Sequence, residues 1–536
     1  MDNNNLKSVA DVYTNQCVFV TGASGFLGKV LVEKLLYSTN VKSIYVLIRP
    51  LKGHPAKERL EKMLHSPIYD RIRQSDDQLF NKLVAISGDL MHEDLGLSQA
   101  ETLELCENVS IVFHCAATVK FDDILRASVQ MNLIGTRRLL ALCHKMKNLI
   151  SLVHASTAYA NCNLPKTQEK VYTPPVQPKQ IIQAIEWMPD DMINTVTPQL
   201  LGKRPNTYTF TKALAETQLL EDAKDLPVII IRPSIIGAMW REPLPGWTDN
   251  LNGPTGIFTA VGKGVLTNMC GSGNSKADII PVDIVSNMLI VAAAHRATTS
   301  YPEIPVLHCA SGALNPLKWG HIVIFLQKFY ALYPLDQCTR PPSTCFHTSR
   351  KLFLFNYYYK HYIPAQILDL AYRAAGKKPS FVRIYSKIWK MVETLHYFTT
   401  RGWEFESKNI LTLWDSLNAE DQKIFNFDIR QVNWDDYLFD YVMGVKVYLL
   451  KESLDNLPAA RANLAWLKQV NLYWNAGFWA LLVRMFAWKR TRTQKWSIWF
   501  LGFMATHVFQ NFDFRPAVHM KTLDEYKRTT TLVKSF

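Results

Sequence analysis

Apolar positions in the first third of the chain fall into short runs separated by charged, helically spaced stretches. That alternation is the pattern of a parallel sheet covered by helices. Val18, Phe19 and Val20 form the first run, which leads straight into the glycine-rich stretch from Thr21 to Gly28. Leu27, Val30, Leu31 and Leu35 then share one helical face. Further strands are predicted at Ser43–Ile48, Leu83–Ile86, Val109–Phe113 and Leu149–Val153, with a helix headed by Asn132. Strand alternating with helix in this order predicts an α/β fold with a doubly wound parallel sheet. Past residue 350 the pattern changes. The aromatic stretch Phe353–Tyr362 opens a mostly helical region, and two apolar runs, Leu472–Trp488 and Trp496–Gln510, lie near the C-terminus. The expected organisation is a nucleotide-binding catalytic domain over 1–320, a helical domain over 350–455, a hydrophobic membrane segment over 466–511 and a polar tail over 512–536.

The turn TGASGFLG carries the first chemistry. Gly22, Gly25 and Gly28 follow an apolar strand and open a helix, the Rossmann-type arrangement that brings backbone N–H groups and a helix N-terminus to a pyrophosphate. Thr21, Ser24, Phe26 and Leu27 belong to the same cofactor-binding turn. At the tip of the second strand stands Arg49, with Lys52 nearby, where NAD-binding folds place an acidic residue. A cation there attracts a 2′-phosphate, so the expected cofactor is NADPH. Asp89, with Leu90 after it, follows a glycine at a strand end, where it either accepts from the adenine amine or caps the next turn. His114-Cys115-Ala116-Ala117 offers small residues against which a cofactor can lie.

Ser151–Asn161 places hydroxyls at the C-terminal end of a parallel strand, where ligands bind in such sheets. Tyr208 and Lys212 are four apart and share a helical face. An ammonium beside the phenol favours phenolate, so a lowered Tyr208 pKa is expected. The long stretch between Thr157 and Tyr208 reads as a lid or a wall of the pocket, or as a plain surface insertion. Pro243–Gly256 reads as a second loop over the pocket, and Lys203, Arg204 and Arg241 as groups along a path for phosphates.

Composition narrows the partners. The net charge of +14 suits an anion, but no basic-aromatic recognition motif accompanies it, which argues against nucleic acid. Nine cysteines are scattered without a CxxC pair, so neither a zinc site nor a disulfide frame is expected, and no metal. Met1–Gln16 is polar, so no signal peptide is expected before the first strand.

TGASGFLG, HCAA, HASTAYAN and YTFTK together resemble the extended short-chain dehydrogenase/reductases. Within them the chain most resembles the alcohol-forming fatty acyl-CoA reductases. The narrower likeness rests on VYTPP, LLGKRPNTYTFTKALAE, IIIRPSIIGA and ADIIPVDIVSN. It continues in WEFESKNILTLWDSL, EDQKIFNFDIRQVNWDDY and GVKVYLLKE. The resemblance implies reduction of a long-chain acyl-CoA to fatty alcohol through a bound aldehyde, feeding ether lipid or wax synthesis. It makes Tyr208 the proton donor, Lys212 the ribose-binding group and Thr157 the holder of the substrate oxygen, with Ser156 second. It assigns the pyrophosphate to the three glycines, the 2′-phosphate to Arg49 and the adenine to Asp89 and Leu90. A pocket wall between Thr157 and Tyr208 would then be an acyl-chain wall. Competing readings are a sugar-nucleotide epimerase, a hydroxysteroid dehydrogenase, a carrier-protein thioester reductase and a non-catalytic lipid-binding scaffold.

The two C-terminal apolar runs fall short of the ~20 clean apolar residues of a membrane-crossing helix. Tryptophans at their edges and the basic link Lys489, Arg490, Arg492 and Lys495 fit a shallow anchor in the lipid bilayer. The resemblance implies the peroxisomal membrane, or alternatively the endoplasmic reticulum, with the catalytic domain in the cytosol. The last residues, VKSF, form no peroxisomal matrix signal.

Overall fold

The computed structural model describes residues 8–51, 53–511 and 517–534; Lys52 lies outside them. Seven strands form the main sheet: β1 (Cys17–Thr21), β2 (Ser43–Ile48), β3 (Leu83–Ser87), β4 (Val109–His114), β5 (Ser151–Ala155), β6 (Val228–Pro233) and β7 (Val306–Cys309). Their order is β7-β6-β5-β4-β1-β2-β3, every pair parallel. The strand order reverses between β1 and β4, which opens a crevice at their C-terminal ends.

The two-residue period of a strand explains why these segments are apolar throughout. Val18, Val20, Ile111, Phe113, Ile229 and Ile231 enter one core, against helices α1 (Phe26–Ser38) and α3 (Val282–Thr298). Phe19, Val112, Val228 and Ile230 enter the other, against the helix Gly135–Cys143 and the end of α2 (Thr207–Asp222). Asn132 does not head a helix. It lies in a widened π-type turn, Gln130–Ile134, that continues the helix begun at Leu125.

The helical region after residue 350 shares the first of these cores. Its helix α4 (Trp434–Gly444) sinks Tyr437, Leu438, Tyr441 and Val442 into that core. There the Tyr437 hydroxyl donates to the Ala238 carbonyl at 2.9 Å, and the Tyr441 hydroxyl meets Thr255 at 2.7 Å. Only the middle of the stretch Pro243–Gly256 is an exposed loop, with Leu251 54% exposed. Residues 243–248 are buried, and a Cβ on Gly246 would stand 1.9 Å from the Asp440 carbonyl oxygen of α4.

Beyond it, α5 (Leu457–Phe486) and α6 (Arg492–Asn511) fold back as a hairpin, with Trp499 Nε1 donating to the Ala476 carbonyl at 2.9 Å. Among the described residues no helix is long and apolar enough to cross a membrane. The hairpin nevertheless leaves Tyr473, Trp474, Phe486 and Trp488 from 68% to 79% exposed.

One buried ion pair ties these parts together. Arg232 on β6 is 1% exposed, and its Nε and Nη2 donate to the two carboxylate oxygens of Glu216 on α2 at 2.8 and 2.6 Å. Arg232 also donates to the carbonyls of Gln168 (3.2 Å) and Lys170 (2.8 Å) in the long insertion. Its Nη1 faces His308 Nε2 on β7 at 3.3 Å, so that nitrogen accepts and Nδ1 carries the hydrogen to the Glu406 carbonyl at 2.7 Å. Burial, then the guanidinium, pushes the His308 pKa down to about 3, which keeps this tautomer neutral.

Replacing one partner strands a buried charge. Arg232→Met is expected to cost about 3–5 kcal/mol in urea-induced unfolding, and Arg232→Met with Glu216→Leu is expected to recover part of it. A single variant as stable as the parent would remove the ion pair from its central place.

Candidate active site

The glycine turn is shaped by close approach rather than by flexibility. Gly22 has φ +74°, and a Cβ there would lie 2.7 Å from the Ala116 amide nitrogen. A Cβ on Gly28 would lie 2.2 Å from the Gly22 carbonyl oxygen. The Gly25 amide donates to that same oxygen at 2.9 Å and closes the turn. Gly25 then caps α1 without any side chain over the helix's first N–H groups. A cradle that a single methyl would fill, ending on uncapped amides, fits the pyrophosphate of a dinucleotide. Ser24, Phe26 and Leu27 are half-buried around it, with the Phe26 ring stacked on Trp247 at 5.4 Å.

Thr21 fixes the neighbouring strand end. The Thr136 hydroxyl donates to the Asn132 carbonyl at 2.7 Å, so it accepts from His114 Nε2 at 3.0 Å. His114 Nδ1 is then an acceptor and takes the Thr21 hydroxyl at 2.8 Å, while Thr21 accepts the Ala116 amide at 3.3 Å. Burial, and secondly Lys212, pushes the His114 pKa down to about 3, so the relay holds one neutral tautomer. HCAA thus serves as a strand-end brace. Burial also pushes the Cys115 thiol up to about 12, which leaves it a packing residue.

At the β2 tip, Arg49 is 56% exposed and stands 3.8 Å from the Asp89 carboxylate. Asp89 also accepts from the Met91 amide at 3.1 Å, the turn-capping alternative. Leu90 is buried, its Cβ 3.1 Å from the position a Cβ on Gly135 would take, and its carbonyl accepts from Arg138 at 3.0 Å. The Asp89 side chain is 12% exposed, and that of Leu90 is buried. Sequence reasoning passed over Arg59, whose guanidinium donates to the Arg49 carbonyl and adds a second cation at the tip.

Thr157, Tyr208 and Lys212 come together where β5 ends. Asn206 caps α2 by accepting from the Thr209 amide at 2.9 Å, which places Tyr208 in the first turn and Lys212 one turn deeper. Lys212 Nζ donates to the Ala155 carbonyl at 2.7 Å, and burial pushes its pKa down to about 8. The expected lowering of the Tyr208 pKa is not found. Burial pushes it up to about 12, against the opposing pull of a hydrogen bond with the Thr157 side chain. In a site this dry, desolvation outweighs the Thr157 hydrogen bond, and Tyr208 is held as a neutral phenol. Ser156 turns away: its hydroxyl donates to Glu216, the carboxylate already held by Arg232. Thr157 therefore carries the hydroxyl nearest Tyr208.

The wall facing Tyr208 comes from distant sequence. Phe121 lies 5.6 Å from the Tyr208 ring and 5.7 Å from Phe398, on the helix Phe381–Thr400. Phe398 meets Tyr159 edge-on at 5.2 Å, and Trp403 Nε1 donates to the Cys162 carbonyl at 2.8 Å. No spacing marks these rings, because they meet only in three dimensions. The insertion supplies the helices Pro178–Trp187 and Asp190–Leu201, whose Ile181, Ile185 and Ile193 pack with Phe210 and Leu214 of α2. Arg204 is not a phosphate-facing group: it is buried and donates to the Ala160 carbonyl and Asn161 Oδ1, both at 3.1 Å. Lys203 is exposed, and Arg241 stacks on Trp240 at 3.8 Å.

Comparison with known proteins agrees with this geometry. Residues 20–289 match an NAD-binding family model described as male sterility protein, and residues 360–452 match a second model of the same description. Fatty acyl-CoA reductase 1 from Rattus norvegicus is 40% identical over 515 residues, 96% of this chain and 99% of that protein. Fatty acyl-CoA reductase 2 from Mus musculus is 39% identical over 519 residues, 96% of this chain and all of its own length. Among solved structures, the reductase domain of a nonribosomal peptide synthetase from Mycobacterium tuberculosis aligns with TM-score 0.55 at 19% identity. The alignment covers 83% of this chain and 94% of that one, and it establishes a shared fold. With a glycine turn shaped for a dinucleotide pyrophosphate, a Thr-Tyr-Lys constellation and this likeness over nearly its whole length, the chain belongs to the fatty acyl-CoA reductase family.

Proposed function

We propose that the protein reduces a long-chain acyl-CoA to the fatty alcohol and free CoA, with two equivalents of NADPH, while seated on a membrane surface. The observation that carries this is the convergence of Thr157, Tyr208 and Lys212 at the end of β5, beside the glycine cradle.

NADPH, when bound, supplies the hydride. Negative charge then develops on the thioester oxygen, where the neutral Tyr208 phenol and the Thr157 hydroxyl stand as donors. Donors preset in a dry site stabilise such charge by several kcal/mol, ~3 for one well-placed group. A phenol with its pKa near 12 delivers its proton to an alkoxide, which is more basic still. The tetrahedral adduct collapses by expelling CoA thiolate as the Tyr208 phenolate takes back the hydroxyl proton, and the aldehyde left in place is reduced at the same pair of hydroxyls. Lys212, held by the Ala155 carbonyl, is the group the family resemblance makes the holder of the nicotinamide ribose. No cysteine nucleophile is called for, since the substrate arrives already activated.

NADPH rather than NADH is favoured by Arg49, with Arg59 behind it, at the strand tip where a 2′-phosphate would lie. The exposed Trp474, Phe486 and Trp488 of the hairpin favour seating in the bilayer interface. The family resemblance, rather than a targeting motif, supports the cytosolic face of the peroxisomal membrane, ahead of the endoplasmic reticulum. It likewise supports ether lipid or wax synthesis as the product's use.

Detergent-solubilised protein given palmitoyl-CoA should oxidise two NADPH per CoA released and yield hexadecanol; no oxidation with any acyl-CoA would sink the proposal. Tyr208→Phe should lower turnover by about 10²–10⁴-fold while the protein stays folded. Turnover should also fall as pH rises through about 8, because Lys212 carries its proton below that value and loses it above. A profile flat to higher pH would separate Lys212's charge from catalysis. Arg49→Glu should raise the KM for NADPH at least about tenfold, the loss of one ion pair worth ~1.4 kcal/mol, and leave that for NADH little changed. Equal effects on both would displace Arg49 from the 2′-phosphate.

A further inference from the structure

Several buried cations of this chain sit against carboxylates. Lys446 has Asp336 and Glu452, both at 2.8 Å, Arg71 has Glu33 at 2.6 Å, and Arg232 has Glu216. From Leu457 to Asn511 the sequence holds seven lysines and arginines and not one aspartate or glutamate. Near the turn of the hairpin, α5 and α6 part to leave a cavity of about 590 Å³. Gly477, Ala480 and Arg484 wall it on α5, and Arg492, Lys495 and Trp499 on α6.

The construction follows from helical spacing. Ala480 and Arg484 lie one turn apart on one face, as do Lys495 and Trp499 on the other helix. Small side chains at 477 and 480 leave the space, and the Trp499 indole is fixed across it by its bond to the Ala476 carbonyl at 2.9 Å. None of Arg484, Arg492 and Lys495 has a carboxylate partner among the described residues. Three cations therefore face a cavity otherwise lined by indole and aliphatic surface, beside Phe486 and Trp488, which are 79% and 68% exposed.

We infer that this cavity seats the phosphate of an anionic phospholipid, headgroup between the three cations and acyl chains along the exposed aromatic face. The inference rests on the membrane-seated reading of the hairpin and deepens it by naming the lipid class. A small soluble anion would answer the charge but leave the tryptophan walls wet. A zwitterionic headgroup carries its own cation into a site that already has three. A lipid with net negative charge satisfies both the charge and the apolar surface.

Sedimentation of the full-length protein with vesicles tests this. Phosphatidylcholine vesicles containing a minority of phosphatidylserine should be bound more tightly than vesicles of phosphatidylcholine alone. The triple variant Arg484→Gln, Arg492→Gln, Lys495→Gln should lose that preference, by on the order of 10²-fold, and still bind phosphatidylcholine. A control variant, Lys468→Gln, Lys489→Gln, Arg490→Gln, removes the same charge outside the cavity and should lose much less. Turnover of a water-soluble short-chain acyl-CoA should survive in both variants and report that each is folded. Equal losses in the two variants would reduce the effect to general surface charge and overturn the site. Wild-type protein that binds both vesicle types equally overturns the site while membrane seating stands. Protein that binds neither overturns both.

Discussion

The Arg232–Glu216 pair is the constraint on which the rest of the site depends. Its two charges are removed from water, a situation tolerated only when geometry and further hydrogen bonds compensate. The compensation comes from three directions: the insertion between Thr157 and Tyr208, His308 on β7, and Ser156 just past the end of β5. The pair also decides which hydroxyl is left near the phenol, because Glu216 takes Ser156 out of play. The proposed catalytic constellation of three residues thus stands on a buried fourth and fifth.

Much of this was legible along the chain wherever the determinants were neighbours. The glycine turn, the strand before it and the helix after it occupy consecutive positions, and the structure finds them so. Strands buried on both faces must be apolar at every position, which is why Val18–Val20 and Val228–Ile231 stand out. Tyr208 and Lys212 needed only a helix to share a face. Strand ends were displaced by a residue or two, as at β5, because the pattern of apolar residues does not record where the ladder stops.

What was not legible is what depends on distance and dryness. Arg232 in sequence is a charge at the end of an apolar run, and nothing beside it announces Glu216 or Gln168. Phe121 and Phe398 are far apart in the chain and meet over Tyr208. Arg204 looks like a surface cation and is buried in carbonyls. The Tyr208 pKa went the other way from expectation for one reason: a sequence shows which residues share a helical face but not how much water is gone. In this site burial dominates, and the result is a stronger argument for a proton donor than the lowered value would have been.

The helix α4 ends at Gly444, Lys446 is sealed beneath Asp336 and Glu452, and α5 begins at Leu457. So short and so pinned a passage is no leash. On the membrane-seated reading, the catalytic body does not swing on its hairpin. It meets the bilayer at one fixed tilt, and that tilt decides whether an insoluble alcohol leaves the crevice into lipid or has to cross water first.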